Sequence, residues 1–156
     1  LNIMNGLSEI IDDIYAKEQA DIVNDLVNGK QWYWCDTDKG TAYINPDGYY
    51  AYIIPKGKRF IKASAFRELN ISEKLNLDYF ASEKIGKYEN KFGEYMQYRK
   101  IGDDVYACFY DKTLKHFPKD MQVCVSGSTT CATVYVQGVC LGYVMPFIMC
   151  HATSGV

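Results

Sequence analysis

Histidine is scarce in this 156-residue chain, where His116 and His151 are the only two. Neither has a partner at the spacing of a structural zinc site, so no metal is expected. The motifs that carry much enzyme chemistry are also missing. There is no dinucleotide-type glycine fingerprint after a strand, no glycine-rich phosphate loop, no metalloprotease helix with paired histidines and no nucleophile elbow. Acid–base work would fall to carboxylates, many of which line one helix face. No catalytic residue and no cofactor are assigned, and the chain reads as a non-enzyme. Charge of a single sign is lacking too: 17 Lys and Arg face 19 Asp and Glu, a net charge of −2. No global field draws the protein to nucleic acid or anionic lipid, so any basic site must be local. The longest apolar stretch, Val134 to Met149, is broken by Gln137, Gly138, Gly142 and Pro146. It falls short of the roughly 20 residues of a spanning helix, and no membrane partner is expected. The amino end shows no basic region leading into an apolar stretch and a cleavage site, which gives a cytoplasmic expectation.

What is present suits a folded core. Hydrophobic residues make up 48% and charged residues 23% of the sequence, close to the globular average. The length fits one domain over 1–156, with 150–156 as a flexible tail. Six cysteines (Cys35, Cys108, Cys124, Cys131, Cys140, Cys150) would permit a disulfide framework in a secreted chain. No Cys-x-x-Cys pair occurs and four of the six sit in apolar, strand-like runs, so buried free thiols are the preferred reading.

Along the chain, Leu7, Ile11, Ile14, Ile22 and Leu26 recur at helical steps, with Glu18 as the one polar interruption. This predicts an amphipathic helix from Leu7 to Val27, stopped by Asn28-Gly29. Its other face is acidic, with Glu9, Asp12, Asp13, Asp21 and Asp25 against Lys17, and the helix as a whole carries six acids and one lysine between Leu7 and Gly29. Short aromatic and β-branched runs follow at Gln31–Asp36, Thr41–Asn45, Tyr49–Ile54 and Lys58–Lys62, and predict a strand meander. Asp38-Lys39-Gly40, Asn45-Pro46-Asp47-Gly48 and Pro55-Lys56-Gly57 supply its turns. Short helices are expected from Ser64 to Leu69 and from Ser72 to about Phe80, each started by a serine cap. The charged stretch Ser82–Lys91 reads as an exposed connection. Glu94–Ile101 and Val105–Tyr110 form a hairpin, Asp111–Phe117 a short helix, and Met121–Ser126, Cys131–Val136 and Val139–Met145 the final strands. The sum is a single α+β domain with antiparallel sheets, eight or nine strands and two to four helices.

Two surface features point to binding. The 14 tyrosines outnumber the seven phenylalanines, and Tyr49, Tyr50 and Tyr52 crowd one hairpin. Tyrosine joins apolar area to a polar tip and is enriched at interfaces, although strand packing also favours it. Lys56, Lys58, Arg59, Lys62, Arg67 and Lys74 form the one basic run worth naming, against Glu68 and Glu73. A solvated face is its simplest reading, and phosphate contact the functional one.

Two stretches together resemble a family. Ala42-Tyr43-Ile44-Asn45-Pro46-Asp47-Gly48-Tyr49-Tyr50-Ala51-Tyr52 is similar to the strand-turn-strand that bacterial sliding clamps, the ring-forming processivity subunits of the replicative DNA polymerase, write around Asp-Gly-His-Arg-Leu. The run from Asp111 to Leu114, through Gln122–Ser126 and on to Gly142-Tyr143-Val144-Met145-Pro146-Phe147, resembles the last helix and strands of the clamp, which close on Val-Met-Pro-Met-Arg. Together they cover about a third of the chain. The resemblance implies a clamp-like fold of the single-domain kind carried by phages and mobile elements, with an accessory role in DNA replication. It also implies a hydrophobic peptide-binding surface at Tyr49, Tyr50, Val144, Met145, Pro146 and Phe147, and a protein or peptide partner. Tyr49-Tyr50 stands where the family has His-Arg, and Phe147-Ile148 where it has Met-Arg. One clamp domain per chain would build a ring only as a homo-oligomer, and an acidic helix facing its channel would repel DNA. Two alternatives stand beside this reading: direct nucleic-acid binding through Lys56, Lys58, Arg59, Lys62 and Arg67, and a globular protein of unrelated function.

Overall fold

The computed structural model describes residues 3–61, 67–68, 80–81, 83–102, 105–125 and 131–146. The chain gathers into two compact units, Leu1–Asp47 with Tyr52–Glu73, and Gly48–Ala51 with Lys74–Val156. Residues 150–156 lie outside the described residues, as do most of those expected to form the helix from Ser72.

The first unit opens with α1, Ile3–Val27, four residues earlier than the apolar spacing alone suggests. Its buried stripe is Ile11, Tyr15, Glu18, Gln19 and Ile22, which is helical spacing. The stop falls where Asn28-Gly29 predicts it. Gly29 takes φ 83°, Lys30 N–H donates to the Asp25 carbonyl at 2.9 Å, and Gly29 N–H to that of Leu26 at 3.1 Å. This pair of bonds satisfies carbonyls that a helix end otherwise leaves open. Strands β1 (Tyr33–Thr37) and β2 (Gly40–Ile44) form an antiparallel hairpin that pairs Tyr33 with Ile44 and Thr37 with Gly40. Strand β3 (Tyr50–Ile54) is buried along its whole length. The division between the units falls inside it, with Tyr50 and Ala51 counting with the second. Strand order in the first unit is β4-β1-β2-β3, where β4 is the pair Arg67–Glu68. Trp32, fully buried, stacks on Tyr52 at 5.7 Å and donates its indole N–H to Asp25 at 2.9 Å. The Tyr52 hydroxyl meets Asp21 at 3.3 Å, so the polar tips of both core aromatics end on α1.

Two expectations are corrected here. The strand expected at Lys58–Lys62 is replaced by a 3-10 turn at Lys56–Lys58. The N–H groups of Phe60 and Ile61 then go to the Gln19 side chain rather than to a neighbouring strand. The helix expected at Ser64–Leu69 is contradicted at Arg67–Glu68, which pair in parallel with Tyr33 and Trp34 of β1. The open edge of β1 supplies backbone partners, and such tertiary pairing overrides a weak local preference.

In the second unit, strand order is β3-β11-β10-β9-β5, with a separate β6-β7-β8 sheet. The elements are β5 (Phe80–Ala81), β6 (Glu83–Glu89), β7 (Tyr95–Gly102), β8 (Val105–Tyr110), α2 (Asp111–Leu114), β9 (Gln122–Val125), β10 (Ala132–Val136) and β11 (Val139–Val144). The β5–β9, β9–β10, β10–β11, β6–β7 and β7–β8 pairings are antiparallel. The β7–β8 hairpin and the three last strands fall within a residue or two of expectation. Within the exposed connection expected at Ser82–Lys91, Glu83–Glu89 is instead strand β6. It lies at a sheet edge, where charged residues are tolerated and discourage pairing with other chains. Phe80, expected to end a helix, belongs to β5. A two-residue turn at Gln137 (φ 49°) and Gly138 (φ 82°) joins β10 to β11, a geometry whose twist suits a tight hairpin. Helix α2 is regular to Leu114 and turns on to Phe117 through a Phe117 N–H bond to the Leu114 carbonyl. Gln97 on β7 donates to buried Asp111, which ties α2 to the smaller sheet.

The described residues thus give an α+β protein with eleven strands and two α-helices, its sheets antiparallel apart from the short parallel β1–β4 pairing. Among them no helix is long and apolar enough to cross a membrane.

Candidate binding surface around Tyr49 and Met145

The left-handed backbone of Gly48 (φ 76°) turns the chain so that Tyr49 precedes β3. From the other end of the sequence, β11 delivers Val144, and the next residue, Met145, donates its N–H to the Tyr49 carbonyl at 2.8 Å. Two motifs almost a hundred residues apart therefore meet within the second unit. The environments of their side chains differ. Tyr49 is 38% exposed and Met145 half-buried, whereas Tyr50, Val144 and Pro146 are buried. Phe147 lies outside the described residues.

Tyr50 works inside the unit. Its ring stacks on His116 at 4.1 Å and meets Phe117 edge-on at 6.4 Å, anchoring the turn after α2. Tyr49 works at the surface. It meets Tyr110 edge-on at 5.3 Å, a favourable aromatic geometry. The Lys112 ammonium sits 5.2 Å from the centre of the Tyr110 ring and reaches Glu94 at 2.9 Å. The Lys112 hydrogen bond holds the Glu94 carboxyl below its ordinary range. Partial burial, then the neighbouring Tyr49 and Glu94, pushes the Tyr110 phenol up. The candidate surface is therefore Tyr49, Met145 and Tyr110, bordered by a Lys112–Glu94 pair.

Tyr110, Lys112 and Glu94 are absent from the set read out of the sequence. Nothing local singles them out, because Tyr110 ends a strand like any other and its contact with Tyr49 is made only by folding. Phe92 (75% exposed) and Tyr95 (52% exposed) add further solvent-facing aromatics to the same unit.

The basic run is more committed than its composition implies. Lys58 pairs with Asp12 at 3.1 Å and Lys56 with Asp36 at 3.8 Å. Arg59 donates to the Thr41 hydroxyl at 3.3 Å. Lys62 is outside the described residues, and of Arg67 only the strand backbone is described. Cys35, Cys108, Cys124, Cys131 and Cys140 are free thiols. Burial, and to a lesser degree Cys140, pushes the Cys131 thiol up to about 12. Among the described residues no group of three His, Cys, Asp or Glu side chains could hold a metal ion. No protein family, curated protein or solved structure matches the chain.

Proposed function

We propose that this chain is a cytoplasmic, non-enzymatic, clamp-like binding module that docks a protein or peptide partner on the Tyr49–Met145 surface, in phage or mobile-element DNA metabolism. The observation that carries this reading is the 2.8 Å bond between the Met145 N–H and the Tyr49 carbonyl. It joins the two segments that resemble the peptide-binding motifs of sliding clamps. Tyr49 and Tyr110 add a partly exposed aromatic pair, and aromatic side chains of this kind carry a disproportionate share of interface energy.

The test is titration of a short apolar peptide of the kind sliding clamps accept, against the parent protein and a Tyr49→Ala, Met145→Ala double variant. The Met145–Tyr49 bond uses backbone atoms only, so the variant should keep its circular dichroism spectrum. Its affinity should fall about tenfold or more, the size of an ordinary hot-spot loss. Absence of peptide binding by the parent, or equal binding by the variant, would sink the reading. Sedimentation velocity on the same samples shows whether the module works as a monomer or as a self-assembled ring.

A further inference from the structure

Along the buried stripe of α1 stands a carboxyl group. Glu18 is 2% exposed, and among the described residues neither of its oxygens meets a hydrogen-bond partner. The next residue, Gln19, is 1% exposed and bonded through both ends of its amide. Its amide nitrogen donates to the Lys58 carbonyl at 3.0 Å, and its oxygen accepts from Phe60 N–H at 2.7 Å and Ile61 N–H at 3.2 Å. The side chain that ties α1 to the Lys58–Ile61 segment is therefore adjacent to one whose carboxyl oxygens are buried without a hydrogen bond among the described residues.

A buried, unpaired carboxylate is far costlier than the neutral acid. Burial accordingly pushes Glu18 from the ordinary 4.5 up to about 9, with Lys17 lowering it and Asp21 raising it to lesser extents. Several other titratable groups on or against α1 in the first unit pair with one another, and Tyr15 is buried one turn before Glu18 on the same stripe. Lys58 lies 3.1 Å from Asp12, Lys17 and the Tyr52 hydroxyl each 3.3 Å from Asp21, and Lys30 3.9 Å from Asp25. Arg59, in the tied segment itself, points to Thr41.

We propose that the seating of α1 is proton-coupled: the neutral Glu18 side chain fits the seat, and loss of its proton releases α1 together with the Lys58–Ile61 segment that Gln19 holds. The sign follows from linkage. Once released, the carboxyl returns to its ordinary range, so between about pH 4.5 and 9 the seated form holds one more proton than the released form. The stabilising effect is complete below that window and is lost as pH rises through it, so release becomes about tenfold easier per pH unit. Neutral pH lies inside the window.

The test is hydrogen exchange at the Phe60 and Ile61 amides by NMR, from pH 6 to 8.5, corrected for intrinsic base catalysis. Protection in the parent should fall by about tenfold per pH unit, while a Glu18→Gln variant should be flat. If that variant does not fold, Glu18→Met serves in its place. A pH-independent protection factor in the parent, or an equal slope in the variant, would overturn the proposal. An infrared spectrum at pH 7 gives an independent reading. A protonated-carboxyl band that disappears in the variant supports the proposal, and its absence from the parent refutes it.

Discussion

Gly142→Ala should be among the most damaging single-methyl changes in the protein. A Cβ at this position of β11 would run into the Ala51 carbonyl oxygen and lie 2.7 Å from two carbons of the Phe117 ring. The ring could swing aside, but the carbonyl belongs to the backbone of β3, the neighbour of β11 in the strand order. Relief would require the two strands to part. Overpacking of a dense core ordinarily costs about 1–3 kcal/mol, and a backbone clash belongs at or above the top of that range. The measurement is a urea midpoint, with Gly57→Ala as the control. Gly57 has open space around its missing Cβ and no left-handed φ, so that change should fall within about 0.5 kcal/mol of the parent. Equal midpoints for the two variants would mean that β3 and β11 do not approach as described.

Trp32→Ala should cost about 3–5 kcal/mol, the range for removing a fully buried large aromatic. Three effects act together. A cavity opens under Tyr52, the stacking contact at 5.7 Å is lost, and the Asp25 carboxylate loses its 2.9 Å indole donor at the end of α1. Trp32→Phe separates them, because it refills much of the volume while leaving Asp25 without that donor. Urea unfolding followed by far-ultraviolet circular dichroism reports both variants. A cost below about 1.5 kcal/mol for Trp32→Ala would place the indole outside the structural core.

The parts of this fold that could be read in advance are those with a local cause. The end of α1 needs only Asn28-Gly29, and the β7–β8 hairpin and final strands need only alternating runs bounded by turn residues. Arg67–Glu68 and Phe80–Ala81 are strands for a different reason: β1 and β9 each offer them a free edge, and a two-residue strand carries almost no signal of its own. Strand β6 was obscured because its charges match a solvated loop as well as a sheet edge. The Lys58–Ile61 segment takes its course from Gln19, some forty residues earlier. Glu18 is legible as a polar break in an apolar row, but its lack of a hydrogen-bond partner among the described residues depends on the packing around it.

The candidate surface divides along the same line. The resemblance to the clamp motifs points to Tyr49 and Met145, and the fold brings their backbones together. The same motifs also picked out Tyr50 and Val144, whose side chains are spent on packing. Sequence similarity marks positions along a strand, whereas exposure follows from which face of the strand each side chain occupies.

The free cysteines give the protein a built-in clock. Cys35 is buried in the first unit, and Cys108 and Cys124 in the second. A thiol reagent in excess can reach each sulfur only when its surroundings open. The modification rate of Cys35 therefore times one unit, while Cys108 and Cys124 time the other, without any added label. Whether the two units breathe together or independently becomes a matter of comparing reaction rates within a single unmodified chain.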